Sequence, residues 1–127
     1  MTPGTHGSTY GGNPLAMSVG NGVLDIILQD GFLDNVKKIS EYFDQELIGL
    51  KKKYSKVILE IRGRGLLKGL KLAVDNTKFI ETLLKYKMLV VKAEEQVIRL
   101  FPALIVSKKE IDEAISKIEK TCKEYNN

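Results

Sequence analysis

Apolar residues recur at three- and four-residue spacing through two consecutive segments in the first half of the chain. The first segment starts at Pro14, with Asn13 in the N-cap position, and stops before Gly31. The second runs from Phe32 to about Tyr54. Their apolar stripes are Leu15, Val19, Val23, Ile26 and Ile27 in the first, and Phe32, Val36, Ile39, Phe43, Leu47 and Leu50 in the second. This spacing predicts two amphipathic helices.

The middle of the chain changes to the two-residue period of strands. Apolar and polar residues alternate from Val57 to Arg62, and an apolar run from Leu66 to Leu72 follows a Gly63-Arg64-Gly65 turn. Further on, apolar residues at Met88 to Val91 and Val97 to Phe101 flank the polar link Glu94-Glu95-Gln96. The pattern predicts two antiparallel strand pairs.

Two more helices are predicted around the second strand pair. Asp75 or Asn76 can cap a helix that continues to about Lys87. Ser107 and Glu110 have the Ser-x-x-Glu spacing of a capping box, and the helix after them carries an apolar stripe of Ile111, Ala114, Ile115, Ile118 and Cys122. The order of elements predicts an α+β fold, a small antiparallel sheet of about four strands packed with helices and preceded by a long helix and a Gly-rich loop.

Composition limits the kind of protein this can be. The 127 residues are 43% hydrophobic and 28% charged, which suits one globular domain with an appendage. The single cysteine and single histidine exclude a disulfide framework and a Cys/His zinc cluster, so no metal site is expected. No apolar stretch approaches the roughly 18 residues that span a bilayer, and Met1 to Gly4 do not begin a secretory signal. We therefore expect a cytoplasmic protein with no membrane partner.

The net charge of +4 raises the question of nucleic-acid binding. Most lysines are interleaved with acids, and the unbroken basic cluster is Lys51-Lys52-Lys53, extended by Lys56. Cations at the C-terminal end of a helix complement its dipole, and this explanation is favoured over a phosphate-binding patch. No nucleic-acid partner is expected, although nucleic-acid binding is kept as a third hypothesis.

The segment from Pro3 to Pro14 combines glycines, hydroxyl side chains and the start of a helix. Glycines allow close approach of the backbone to an anion, and hydroxyl and N–H groups then donate hydrogen bonds to it. The segment lacks the Gly-Lys-Ser/Thr of a P-loop and the Gly-x-Gly-x-x-Gly of a dinucleotide fold. Its composition therefore leaves a phosphate site and a flexible terminal segment equally favoured.

Specific motifs decide more than composition. Pro-Gly-Thr-His-Gly-Ser-Thr-Tyr-Gly-Gly-Asn-Pro-Leu-Ala at Pro3 to Ala16 closely resembles a signature of the class III, pyridoxal-phosphate-dependent aminotransferases. Arg62 to Gly69 resembles the family's Arg-Gly-x-Gly-Leu-x-x-Gly segment, and Val97 to Leu104 resembles its Arg-x-x-Pro-x-Leu segment. Ser107 to Ile111 matches the start of its last helix. The Thr-His form of the first motif is most similar to that of acetylornithine aminotransferases, with ornithine and other ω-amino-acid aminotransferases close.

The resemblance implies roles for three residues. Ser8 and Thr9 match positions that donate hydrogen bonds to the phosphate of pyridoxal phosphate, across the dimer interface into the partner subunit's site. Arg99 matches the arginine that binds a substrate carboxylate, for which the planar guanidinium fork is suited. Without the resemblance, a structural ion pair of a strand arginine would be the favoured explanation of Arg99. No catalytic residue is assigned within this chain.

Other polar residues are interpreted as structural. Arg62 and Arg64 flank turn glycines, with no anion evident for them to bind. His6 lacks an orienting carboxylate, so a hydrogen-bonding role in the loop is favoured over acid–base catalysis. Cys122 is predicted to be a small core residue and not a nucleophile.

The resemblance also implies a domain organisation. Residues 1–30 match an interface loop and connecting helix of the large domain, and residues 31–127 match the C-terminal small α+β domain. The lysine that forms the Schiff base with the cofactor lies earlier in the family, so this chain is expected to be inactive alone. The complete enzyme would be a homodimer that moves an amino group between N-acetylornithine or an ω-amino acid and 2-oxoglutarate.

An alternative stays open. Lys68 and the link Glu94-Glu95-Gln96 depart from the family's usual apolar and glycine-containing residues. These departures fit a non-catalytic α+β module, the product of a truncated or split gene, that self-associates or pairs with an upstream fragment.

Overall fold

The computed structural model of the chain describes residues 2, 7, 8 and 11–125. The chain forms two compact units, residues 1–34 and residues 35–127. The predicted assignment of residues 1–30 to a large domain and residues 31–127 to a small domain stays a prediction, because it concerns a longer protein.

The first unit contains helix α1, Pro14–Ile27. Its start is as predicted: the side chain of Asn13 accepts hydrogen bonds from the backbone N–H groups of Leu15, at 3.0 Å, and Ala16, at 3.2 Å. None of its residues is buried. Six of its large apolar side chains are exposed: Leu15, Met17, Val19, Val23, Leu24 and Ile26. The apolar stripe of α1 therefore builds no core among the described residues.

The second unit contains a four-stranded sheet and the remaining helices. Helix α2, Phe32–Lys53, begins just ahead of the unit boundary. The other elements follow in the order β1 (Ile58–Arg64), β2 (Leu67–Leu72), α3 (Asn76–Lys85), β3 (Val91–Lys92), β4 (Val97–Leu100) and α4 (Lys108–Glu124). The strands lie in the order β1-β2-β4-β3, and every neighbouring pair is antiparallel. The predicted α+β fold with a small antiparallel sheet is confirmed.

The turn between β1 and β2 is shorter than predicted. Arg64 pairs with Leu67, so the loop is Gly65-Leu66 and not Gly63-Arg64-Gly65. Gly65 has a φ of 59°, which a two-residue hairpin loop requires at its first position. Gly63 instead lies within the strand, where a Cβ atom would be 2.1 Å from the carbonyl oxygen of Leu67. Gly63 is therefore needed for close strand packing.

The first strand of the second pair is also shorter than predicted. The predicted strand from Met88 to Val91 is reduced to β3, Val91–Lys92. The backbone N–H groups of Lys87 and Met88 donate to carbonyl oxygens of Leu84 and Leu83, at 2.9 and 3.0 Å. These hydrogen bonds hold Lys87 and Met88 against the end of α3. Their backbone N–H groups are therefore not available for pairing in the sheet.

One face of the sheet is buried and the other is open. Leu70 pairs with Ile98, and both side chains are fully buried against the helices. The core between this face and the helices includes Phe43 and Leu47 of α2, Phe79 and Leu83 of α3, and Ile111, Ile118 and Cys122 of α4. The prediction that Cys122 is a core residue is confirmed, and burial raises the pKa of its thiol to about 12. Within the described ranges, no helix has the length and apolar character needed to cross a membrane.

Candidate functional site

Arg99 is exposed on the open face of the sheet. It is the third residue of β4, where its neighbours across the ladders are Gly69 of β2 and Val91 of β3. Directly paired residues in antiparallel strands project to the same face, so these three residues and Arg62, which also pairs with Gly69, form one row. A pocket of about 360 Å³ lies over the Arg62, Gly69 and Arg99 part of this row. Its lining includes Arg62, Gly69, Glu94, Glu95, Val97 and Arg99.

Arg62 is held by two carboxylates. Its guanidinium donates to Glu60 at 2.9 Å and to Glu95 at 3.3 Å, and Lys71 lies 4.0 Å from the same Glu95 oxygen. The hydrogen bond from Arg62 lowers the pKa of Glu60, and the hydrogen bonds to Glu60 and Glu95 raise the pKa of Arg62. These ion pairs agree with the interpretation of Arg62 as a structural residue, which stays a prediction.

Glu95 reaches Arg62 from a tight turn. Glu95 and Gln96 have φ values of 55° and 60°, a conformation that costs free energy in residues other than glycine. The side-chain oxygen of Gln96 accepts a hydrogen bond from the backbone N–H of Asn76, at 2.9 Å, which helps to fix the turn. The turn between β3 and β4 thereby places a carboxylate above β2.

Arg99 differs from Arg62 in having no such partners. Within the described part of the chain, its guanidinium makes no hydrogen bond and no ion pair, while its backbone lies in the ladders with β2 and β3. The structural ion pair that sequence reasoning would favour in the absence of the family resemblance is therefore not found there. An exposed guanidinium in a pocket can offer two parallel N–H donors to a carboxylate. Arg64, also predicted to be structural, ends β1 outside this pocket.

The front of the chain supplies the second candidate group. Ser8 is exposed, and its carbonyl oxygen accepts a hydrogen bond from the backbone N–H of Gly11, at 3.0 Å. Thr9 and His6 lie outside the described residues. The first turn of α1 carries no acidic side chain that would repel an anion. Ser8 belongs to the first unit and Arg99 to the second.

A second hollow, of about 530 Å³, is lined by residues of α2 and β1. Its charged residues are of both signs: Asp44, Lys51, Lys52, Glu60 and Arg62. The lysine cluster lies in the last turn of α2, as predicted, and Lys53 is paired with Glu119 of α4. Although larger, this hollow holds none of the residues predicted to bind a ligand, so the pocket at Arg99 is the better candidate.

Sequence reasoning missed Gly69 and Glu95 as parts of the pocket. A turn at residues 63–65 would pair Arg62 with Leu66, whereas the observed two-residue turn pairs Arg62 with Gly69. The signal that could have found Gly69 is Gly65, which suits the first position of a two-residue hairpin loop. No comparable local signal indicates the contact of Glu95 with Arg62, because it crosses two strand pairings. No group of three or more potential metal ligands occurs in the described ranges.

The motifs and the pocket can be compared with known proteins. The family model described as aminotransferase class-III matches residues 1–122. The chain belongs to the class III aminotransferases. The protein named acetylornithine aminotransferase from Brucella melitensis is 50% identical over 119 residues, 94% of this chain and 30% of that protein. The protein named ornithine aminotransferase from Staphylococcus carnosus is 42% identical over 120 residues, with the same coverage of 94% and 30%.

A solved structure of this family has the same fold. The acetylornithine aminotransferase from Elizabethkingia anophelis superposes with a TM-score of 0.81 at 29% identity, over 98% of this chain and 32% of that chain. The chain therefore spans about 30% of the length of the class III aminotransferases that it matches.

Proposed function

We propose that this chain supplies two anion-binding parts of an acetylornithine-type aminotransferase. The reaction moves an amino group between N-acetylornithine or an ω-amino acid and 2-oxoglutarate, in a cytoplasmic homodimer with pyridoxal phosphate. The support for this function class is the family match over residues 1–122 and the 50% identity to a relative named acetylornithine aminotransferase. The observation that carries the proposal is the exposed guanidinium of Arg99, which lacks an ion-pair partner among the described residues.

Arg99 binds the carboxylate of the substrate in this proposal. In 2-oxoglutarate a carboxylate is bonded to the reacting carbonyl carbon, whereas in N-acetylornithine or an ω-amino acid the transferred amino group is remote from the carboxylate. Arg99 therefore holds 2-oxoglutarate by the carboxylate next to its reacting carbon. A bidentate pair fixes the orientation of the carboxylate as well as its position. Holding the substrate in this way contributes to the rate by orienting the reacting carbon.

Ser8 and Thr9 bind the phosphate of the cofactor in the partner subunit. The donor chemistry fits a phosphate, because a hydroxyl side chain lies among glycines ahead of a helix N-terminus without acidic residues in its first turn. When bound, pyridoxal phosphate supplies the electron sink for amino transfer. The contribution of this chain is to hold the phosphate and the substrate carboxylate.

The 127-residue chain does not catalyse amino transfer alone in this proposal. None of its lysines lies in a segment that resembles the cofactor-lysine motif of the family. The purified chain mixed with pyridoxal phosphate and borohydride should give no stable adduct at one defined lysine, and it should not transaminate. A stable adduct at a single lysine together with transamination would contradict this part of the proposal.

Carboxylate binding tests the role of Arg99 directly. Titration of the ¹⁵N-labelled chain with 2-oxoglutarate should shift the side-chain Nε–H signal of Arg99, and Arg99→Gln should abolish saturable binding. Arg64→Gln is the matched control, since it removes an exposed arginine of the same sheet that does not line the pocket. Binding by Arg99→Gln at the wild-type affinity would show that Arg99 is not the carboxylate site.

The exposed apolar side of α1 favours a second candidate function. A non-catalytic α+β module that self-associates or pairs with an upstream fragment would use such a surface. This candidate predicts association without carboxylate binding at Arg99. The titration therefore separates the two proposals.

A further inference from the structure

Gly69 lies between two arginines on the open face of the sheet. It pairs with Arg62 of β1 on one side and with Arg99 of β4 on the other. Neighbouring strands are about 4.8 Å apart, so the two arginine backbones are separated by about 10 Å with only a hydrogen atom projecting between them. The pocket at Arg99 has its floor at this position.

The backbone at Gly69 does not require glycine. Gly63 and Gly65 adopt φ values of 117° and 59°, which are unfavourable for other residues, but Gly69 is not in this positive-φ region. Glycine inside a strand weakens it, and such a residue often marks a place where another group approaches the backbone closely. The space above Gly69, and not its backbone conformation, therefore explains why this residue is a glycine.

That space has defined walls. A Cβ atom added to Gly69 would lie 3.2 Å from the Cγ1 atom of Val97 and 3.8 Å from the Cβ atom of Arg62. Val97 is itself buried, and Arg62 is held in place by Glu60 and Glu95. Neither wall can move away easily. Because Gly69 lines the pocket, any side chain at this position, from the methyl group of alanine upward, would therefore occupy part of it.

We propose that Gly69 is a specificity-determining residue of the carboxylate site. Its missing side chain leaves the floor over which the carboxylate end of an unbranched substrate reaches the guanidinium of Arg99. Arg62 and its two carboxylate partners form the opposite wall and limit the width of the compartment. This inference rests on the proposed role of Arg99, and it adds a residue that selects the ligand by size.

The test uses the complete 127-residue chain with Gly69→Ala and Gly69→Val. Formate and 2-oxoglutarate serve as a small and a large carboxylate, and affinities are measured from NMR titrations of Arg99. Gly69→Val should weaken 2-oxoglutarate binding at least about tenfold, because it adds three carbon atoms and a single methylene group in a confined site already has an effect of this size. The affinity for formate should fall much less. Gly49→Ala is the control, since Gly49 lies on α2 with nothing within 4 Å of an added Cβ.

The outcomes separate this inference from the proposed function. Absence of saturable carboxylate binding at Arg99 in the wild-type chain overturns both proposals. Wild-type binding that Arg99→Gln abolishes but Gly69→Val leaves unchanged overturns only the role of Gly69. If Gly69→Val does not fold, Gly69→Ala decides: a larger loss for 2-oxoglutarate than for formate supports the inference, and equal losses overturn it. A purely structural role would lower the melting temperature without changing the ratio of the two affinities.

Discussion

Lys68 is a charged side chain that the sheet buries against α2. It is 3% exposed, and its ammonium group lies 2.5 Å from a carboxylate oxygen of Asp44. Burial of an ammonium group is costly unless it is paired, and an apolar residue of similar size can often replace such a pair without loss of stability. Asp44 is 40% exposed, so the two partners differ in what their removal leaves behind.

Removing Asp44 should lower the free energy of unfolding more than replacing Lys68 does. Asp44→Ala leaves the buried ammonium group unpaired and should lower the free energy of unfolding by about 2 kcal/mol. Lys68→Met removes the charge and keeps most of the volume, so its effect should be less than about 1 kcal/mol in either direction. Urea unfolding followed by circular dichroism measures both values. Glu41→Ala, at an exposed α2 position, is the control, and equal losses for Asp44→Ala and Lys68→Met would contradict the argument.

At this scale, sequence reasoning found the unusual residues but not all of their partners. Lys68 stands out in the sequence because it departs from the motif that Arg62 to Gly69 otherwise resembles, yet nothing near it in sequence indicates Asp44. Arg99 was singled out by a family motif, and only the folded sheet shows that it lacks a partner among the described residues while Arg62 is paired. The partners depend on contacts between elements, which local patterns do not contain.

The final helix is fixed by contacts at its start and along its length. At the start of α4, the Ser107 hydroxyl accepts from the backbone N–H of Glu110, and the carboxylate of Glu110 accepts from the backbone N–H of Ser107. Along the helix, tyrosine hydroxyls donate to its carboxylates: Tyr42 to Asp112, Tyr54 to Glu119 and Tyr86 to Glu124. These contacts join α2, the segment after it and the end of α3 to α4.

Loss of the cap should destabilise the second unit. Ser107→Ala should lower the free energy of unfolding by about 1 kcal/mol, because a backbone donor at the helix start loses its acceptor. Ser116→Ala is the matched control at an exposed position in the same helix and should be neutral or slightly stabilising. Thermal unfolding of both variants measures the difference. No loss from Ser107→Ala would show that water satisfies the helix start equally well.

The contact between Tyr42 and Asp112 should make stability depend on alkaline pH. The hydrogen bond to Asp112 raises the pKa of Tyr42 to about 12, above the ordinary value of 10.0. The folded chain therefore holds this proton more tightly than the unfolded chain. The contribution to stability is complete below pH 10 and is lost as the pH rises from 10 to about 12.

Tyr42→Phe tests this dependence because it keeps the ring and removes the titrating group. The melting temperature should fall less steeply with pH above 10 in Tyr42→Phe than in the wild-type chain. Lysines and other tyrosines titrate in both proteins, so the difference between the two slopes isolates Tyr42. Identical slopes would contradict a raised pKa.

Element boundaries were predictable where the signals were local. Asn13, Asp75 and Ser107 each cap a helix, and in each case the side chain and the backbone N–H that it accepts from lie within three residues. The first hairpin was predicted with the wrong turn, since both glycines of Gly63-Arg64-Gly65 satisfy the same rule. The observed pairing of Arg64 with Leu67 shows that Gly65, and not Gly63, lies in the loop.

At the scale of the molecule, the second unit buries apolar side chains in a core, whereas helix α1 of the first unit leaves them exposed. All members of the hydrophobic core cluster and of the shell packed against it lie between Val36 and Tyr125. Helix α1 has apolar side chains around most of its circumference and none of them is buried. A helix of this composition is normally covered by protein. The sequence pattern predicted the helix but could not show whether its stripe is covered.

The isolated chain should therefore associate through α1. Val23→Glu places a charge in the apolar stripe and should weaken association at least about tenfold, because an unpaired charge in an apolar contact is costly. Ser18→Glu adds the same charge on the polar side of the helix and should have little effect. Sedimentation equilibrium measures both, with the melting temperature unchanged because the core contains no residue of α1. A monomeric wild-type chain would contradict this prediction.

Because Cys122 is buried, its chemical modification can report local unfolding of the core around α4. It is the single sulfhydryl of the chain, and alkylating reagents require a thiolate that contacts solvent. Modification must therefore wait until α4 separates from the rest of the core. The rate at which a maleimide reacts with Cys122 then measures how often α4 separates from the core under native conditions, without denaturant.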